Sequence, residues 1–231
     1  MFCLVPNKRN YSQTARNVDT IKYIVVHYTG NNGDTARNNL RYFFNNTPIA
    51  SAHFFVDETE VCSSVPVGFA AYHCGATPNA YKHPDCRNDN SIGVELCSRL
   101  SGGKYYFKPE TERNAAEFIA SLMVKYNIPL ANVIRHYDVT GKNCPAPYVD
   151  QAEWQRFKNM IVSNMSNKTD TKEESSMVYY ESIDQIPAGE MRDTIQKLVD
   201  RGTIKGNGSG LHLSADMVRM FVFLKREGLL K

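Results

Sequence analysis

An α/β domain built on a central mixed β-sheet flanked by helices, with a small, mainly helical module after it, is the architecture this sequence predicts. Three observations predict it. Apolar, β-branched runs alternate with helix-patterned stretches over the first two thirds of the chain. A segment without aromatic or aliphatic residues, SNKTDTKEESS at 166–176, then interrupts the pattern and reads as a solvated linker. Beyond it, two short helical patterns stand on either side of the glycine-rich turn KGNGSG. These observations set a folded domain at 1–165, a linker at 166–176 and a second unit at 177–231.

Each element has its own signal. Ile21–His27 is a continuous β-branched run and reads as a buried strand ending in a histidine. Thr35–Phe44 reads as a helix with Asp34 as its N-cap. Ala52–Val56 and Val61–Val65 read as paired strands around the turn Asp57-Glu58-Thr59-Glu60, and Ser91–Cys97 as another strand. Thr111–Tyr126 carries apolar residues at Ala115, Phe118, Ile119, Leu122 and Met123, a helix with one buried face, and Pro129 lies beyond its end. Val133–His136 reads as a short strand, and Glu153–Ile161 as a helix carrying the only tryptophan, Trp154. In the second unit, Ala188–Arg201 stops at Gly202, and Ala215–Glu227 is capped by Ser214 and stops at Gly228. Met191, Ile195, Leu198 and Val199 are expected to face Met217, Val218, Phe221, Val222 and Leu224.

Bulk composition narrows the class. The chain has 231 residues, 42% hydrophobic and 22% charged, as a globular protein does. A net charge of +3 without any Lys/Arg run gives no support to nucleic-acid binding, though a weak positive balance suits an anionic cell wall. The start of the chain lacks the apolar run of a signal peptide, and no stretch is long and apolar enough to span a membrane. The expectation is synthesis in a cytoplasm without a signal peptide and no membrane partner. The six cysteines (Cys3, Cys62, Cys74, Cys86, Cys97, Cys144) show no disulfide-scaffold rhythm, so they are expected as thiols or metal ligands.

The chemistry-bearing residues are histidines, a cysteine and one carboxylate. A zinc hydrolase needs neutral imidazoles or thiolates at three vertices and an open fourth for water. His27 sits at the C-terminal end of a strand, where open α/β sheets place their sites. His136 and Cys144 stand eight apart in RHYDVTGKNCP. Singly, each has a plainer reading: a structural strand-end histidine, a small buried thiol. Glu95, in SIGVEL, is a carboxylate inside an apolar strand, a residue seldom buried without a purpose.

The blocks VVHYTG, SAHFFVDE, AAYHCG, NDNSIGVELC and IRHYDVTGKNCPAP occur in the order found in the type 2 N-acetylmuramoyl-L-alanine amidases. This resemblance covers roughly residues 20–160. That family includes phage endolysins, and peptidoglycan recognition proteins are its fold relatives. The resemblance implies an amidase fold with His27, His136 and Cys144 as ligands of one Zn²⁺. It implies Glu95 as general base and acid, and Lys142 as the cation facing the oxyanion of the tetrahedral intermediate. Recognition-only relatives typically lack the cysteine, so by this resemblance Cys144 favours an enzyme. His73 is expected to line the substrate groove, His53 to be a hydrogen-bonded core histidine, and Asn90 to order the loop before the Glu95 strand. The run HCGATPNAYKHPDC, with His73, Cys74, His83 and Cys86, looks like a second zinc site but is not expected to be one. One branch of the family carries a catalytic tyrosine where this chain has Ala52, which shifts the burden to Glu95.

The function expected is that of an endolysin cutting the bond between N-acetylmuramic acid and L-alanine, acting on the wall after release. The competing readings are a cytoplasmic amidase recycling muropeptides and a non-catalytic peptidoglycan-binding protein. Expected partners are peptidoglycan and secondary wall polymers of a Gram-positive host. Residues 177–231 carry eight basic and seven acidic residues, too even a balance for charge-driven binding. They loosely resemble wall-binding segments, and their small size makes self-association an expectation. Met177 stands where the linker ends, and the codons for Lys172-Glu173-Glu174 are purine-rich by necessity. A separate product starting at Met177 by internal initiation is therefore a further expectation, with an ordinary linker methionine as its alternative.

Overall fold

The computed structural model describes residues 1–170, 179–206 and 210–226. The chain divides into two compact units, 1–167 and 168–231. The first contains strands β1 (Phe2–Cys3), β2 (Tyr11–Ala15), β3 (Tyr23–Tyr28), β4 (Phe54–Val56), β5 (Val61–Ser63), β6 (Phe69–Ala71), β7 (Ser91–Leu96), β8 (Arg99–Ser101), β9 (Lys104–Tyr106) and β10 (Val133–Arg135). Its α-helices are α1 (Ala36–Asn45), α2 (Pro109–Tyr126), α3 (His136–Thr140) and α4 (Gln151–Asp170). Six strands form one mixed sheet in the order β1-β5-β4-β7-β3-β10, in which only the β4–β5 pair is antiparallel. This is the α/β sheet the sequence predicts.

The continuous β-branched run of β3 is explained by burial on both faces. Successive side chains alternate across a strand. Ile24 and Val26 join Ile92, Val94 and Val133 in the main core with Ala115, Ile119 and Met123 of α2 and Phe157 and Ile161 of α4. Each fully buried aliphatic side chain there contributes about 1.5–3 kcal/mol. Tyr23 and Val25 face the other way, against Ile134, Val139, Cys74 and Cys86. His27 follows on that second face.

Several boundaries differ from the sequence reading for local reasons. The N-cap of α1 is Thr35, whose hydroxyl accepts from Asn38 N at 3.2 Å, while Asp57 Oδ2 accepts from Ala36 N at 2.8 Å. Asp34 instead accepts from Thr29, Asn31 and Asn39. The strand before His136 ends at Arg135, and His136 opens a short helix. Helix α4 continues past Ile161 to Asp170, since neither proline nor glycine interrupts 151–170. The five residues 166–170, assigned to the linker, are therefore helical. The six cysteines are free thiols.

The second unit contains β11 (Tyr179–Tyr180), α5 (Glu190–Asp200), β12 (Leu213–Ser214) and α6 (Ala215–Arg226). Its core gathers Ile186, Ile195, Leu198, Leu213 and Val218. The β11–β12 ribbon is an addition to the two helices predicted, and Met217 is exposed rather than in the helix–helix core. Ser214 caps α6 by accepting from Met217 N at 3.2 Å. The side chain of Leu224, as well as Gly228, Met177 and 171–176 of the linker, lies outside the described residues. Among the described residues, no helix is long and apolar enough to cross a membrane.

Candidate metal centre

The site forms where three parallel strands end together. His27 and Glu95 are register partners on β3 and β7, so both side chains leave the same face of the sheet. Arg135 pairs with Val26, which brings the following residue, His136, beside His27 with ring centroids 4.8 Å apart.

The segment after β10 is folded back by a buried clamp. The Arg135 guanidinium donates to both carboxylate oxygens of Asp138, at 2.7 and 3.0 Å, and to the carbonyls of Tyr148 and Val149 at 2.9 and 3.1 Å. Asp138 Oδ2 also accepts from Arg135 N at 2.8 Å, which starts α3. Gly141, at φ 79°, ends that helix in the left-handed conformation that favours glycine. Tyr137 N then donates to the Cys144 carbonyl at 2.7 Å. The result sets Cys144 Sγ 3.6 Å from His27 Nδ1.

Potential ligand atoms of His27, His136 and Cys144 all lie within 4.8 Å of one another, and all three residues are buried. Burial, then the neighbouring His136, hold His27 well below the usual histidine range. Burial, followed by the Lys142 charge, lowers His136 to about 4. Both imidazoles are therefore neutral near pH 7, the state in which they ligate. His136 Nδ1 is buried without a hydrogen-bond partner, a costly state for a polar atom that a cation would relieve. Burial pushes the Cys144 thiol up to about 12, so binding a cation there releases a proton. The donor set fits a metal ion.

Glu95 is half-buried at the floor of the groove, and its Oε2 is buried without a partner. Burial raises its carboxyl to about 8, against the opposing pull of Lys142. Lys142 is exposed at the rim. Tyr28, Thr29, Phe43, Ser51 and Tyr72 line the groove around these residues, and a recess bordered by Asn31, Asp34, Asn38 and Asn39 continues from Glu95 along α1. Sequence reasoning had named none of these as a site residue, and Asp34 only as a helix cap. These aromatic and polar residues come from β3, from α1, from the loops that follow them and, with Tyr72, from just after β6, so no single block of the sequence reveals them.

His73 lies at the edge of the same groove, with Nδ1 3.0 Å from His27 Nε2. His53 is fully buried: its Nδ1 accepts from Gly93 N at 2.9 Å and its Nε2 is 3.1 Å from the Phe69 carbonyl. Asn90 accepts from Arg87 N and donates to the Asp85 carbonyl, so it does order the loop before β7. His83 Nδ1 accepts from the backbone N of Asp85 and Cys86, and among the described residues His27, His136 and Cys144 are the one group of three or more such side chains close enough together to hold a metal ion. Ala52 is buried.

Residues 17–147 match the family described as Amidase_2, N-acetylmuramoyl-L-alanine amidase. Among curated proteins, the chain is 38% identical over 176 residues to the N-acetylmuramoyl-L-alanine amidase CwlL of Bacillus licheniformis, covering 72% of this chain and 48% of that protein. It is 34% identical over 174 residues to BlyA of Bacillus subtilis, covering 70% of this chain and 47% of that one. The chain thus spans about half the length of the curated relatives it matches. Among solved structures, a mutant endolysin from Bacillus subtilis aligns with a TM-score of 0.56 at 31% identity, covering 70% of this chain and 99% of that one.

Proposed function

The chain belongs to the Amidase_2 family of N-acetylmuramoyl-L-alanine amidases, and on that premise we propose that it is a zinc-dependent endolysin. Its reaction is hydrolysis of the amide joining the lactyl group of N-acetylmuramic acid to L-alanine in peptidoglycan. The observation that carries this reading is the convergence of three buried metal-ligating side chains beside a partnerless buried carboxylate oxygen.

His27, His136 and Cys144 would hold the zinc, one ion per catalytic domain. When bound, zinc supplies a Lewis acid that polarises the scissile carbonyl and acidifies water. Glu95 accepts the proton of the attacking water through Oε2 and returns it to the departing alanine nitrogen. Its environment suits both halves of this task, because burial keeps its carboxyl near 8 rather than in the ordinary carboxylate range. Lys142 presents its ammonium to the oxyanion of the tetrahedral intermediate. Purified walls incubated with the protein should gain new N-terminal alanines and no new reducing sugar ends. New reducing ends alone would identify a glycosidase and overturn the reading.

Lys142 gives a pH test. Glu95 must be ionised to take the proton, and the Lys142 charge favours ionisation. Lys142→Gln removes that pull, so the acidic limb of the kcat/KM profile should move to higher pH. Turnover should fall by ~10²-fold, the scale of one oxyanion donor, with zinc retained. An acidic limb that stays put, or moves to lower pH, contradicts the placement of Lys142 beside the base.

The unit after the linker is assigned to wall binding, with secondary wall polymers of a Gram-positive host as its ligands and self-association through 177–231. A separately initiated fragment from Met177 would add binding units to one enzyme and raise avidity. Support comes from the separate hydrophobic core of this unit. A truncation after Asp170 should hydrolyse purified walls at the parental rate and bind whole cells less. Equal binding by the two proteins would remove the targeting role. Release from the producing cell then puts the enzyme on its substrate.

A further inference from the structure

A line of hydrogen bonds runs from the metal centre to a backbone carbonyl, and its direction can be fixed from the far end. Ser91 Oγ lies 2.5 Å from the Arg87 carbonyl oxygen. A carbonyl has no proton to give, so Ser91 donates its single hydroxyl proton there. Ser91 Oγ must then accept from His73 Nε2, 3.1 Å away. In its neutral form His73 has a single N–H, the one given to Ser91, and in that form Nδ1 is an acceptor. Its partner at 3.0 Å is His27 Nε2, which must donate. The proton of His27 therefore sits on Nε2, and the lone pair on Nδ1 is left facing Cys144 Sγ at 3.6 Å.

Two further features hold His73 in this role. Asn88 Oδ1 accepts from the backbone N of His73 and of Cys74, at 3.2 and 2.9 Å. The imidazole lies flat enough on β7 that a Cβ at Gly93 would come 2.6 Å from His73 Cγ, far inside contact distance. Gly93 is the one residue in SIGVEL without a side chain, and it stands between Ser91 and Glu95 on the site face of the strand.

We propose that His73 is a positioning residue for the metal centre: through the line Arg87–Ser91–His73 it fixes the His27 tautomer that turns Nδ1 toward the ion. The sequence reading had made His73 a substrate contact. The proposal rests on the zinc reading above, and its tests are arranged so that the two can fail separately.

His73→Phe fills the space of the ring but accepts no hydrogen bond. His73→Asn keeps an amide oxygen near the place of Nδ1. Zinc affinity of each variant of the 231-residue chain, measured by competition with a chromogenic chelator, should fall ~10–100-fold for Phe, as loss of a supporting partner does. It should be substantially restored in Asn. Gly93→Ala, which displaces the ring, should resemble Phe. In metal-free parent protein, nitrogen NMR should find the His27 proton on Nε2, and in His73→Phe a mixture of tautomers. Parental affinity in His73→Phe, an Asn variant as weak as Phe, or a His27 proton on Nδ1 would each overturn the proposal. If the parent itself binds no zinc, the zinc reading fails, while the NMR result still decides the His73 role.

Discussion

His27→Ala, His136→Ala and Cys144→Ser should each reduce bound zinc from about one ion per chain to a small fraction, and wall hydrolysis with it. The loss in affinity should exceed the ~10–100-fold that removing a supporting hydrogen bond costs, because a donor atom itself is gone. Cys144→Ser is the sharpest of the three. It changes one atom, keeps nearly the same volume in a buried position, and substitutes a hydroxyl that is far harder to ionise than a thiol. Metal content by elemental analysis and hydrolysis of purified walls, read on the same preparations, check the expectation. Full zinc together with full rate in any one variant would remove that residue from the site.

Glu95→Gln should leave zinc and fold in place and lower turnover by ~10²-fold or more, since an amide cannot take the proton of the attacking water. The substitution is nearly isosteric, and the parent carboxyl is already held against ionisation by burial. Thermal stability should therefore not fall. That separation of activity from stability distinguishes a catalytic carboxylate from a structural one. A salt-bridged structural Glu95 would instead lose stability on substitution and retain rate. Turnover on soluble muramoyl-peptide and a melting curve decide between them.

Much of this arrangement was legible because its signals are local. The run Ile21–His27 has one reading as a strand buried on both sides, and the described β3 has Ile24–Val26 fully buried. Glu95 stood out as a carboxylate in an apolar strand. What was not legible depends on distance across the fold. His136 reads as the end of a strand, yet Arg135 and Asp138 close a turn that makes it the first residue of α3. That clamp reaches the carbonyls of Tyr148 and Val149, which no nearby residue announces. The block AAYHCG suggests a groove histidine, and His73 does line the groove. Its contacts with His27 and Ser91, however, join three segments whose register only the folded sheet sets. One signal was available: a glycine inside a β-branched strand marks a close approach, and at Gly93 the approaching group is the His73 ring. Helix α4 outran its expected end because the polar residues after Ile161 lack a helix breaker, and polarity alone does not end a helix.

The most direct measurement is the fate of solvent oxygen during cleavage of a synthetic N-acetylmuramoyl peptide in heavy-oxygen water with the zinc-loaded 231-residue chain. Amide hydrolysis breaks one C–N bond, places one solvent oxygen in the new lactyl carboxylate, and leaves a peptide with a free alanine amine. Mass spectrometry should therefore find the muramic acid product heavier by one isotopic oxygen and the peptide unlabelled, with the reaction stopped by a chelator and restored by zinc. Binding of the peptide without cleavage, or label appearing at any other bond, would contradict the account.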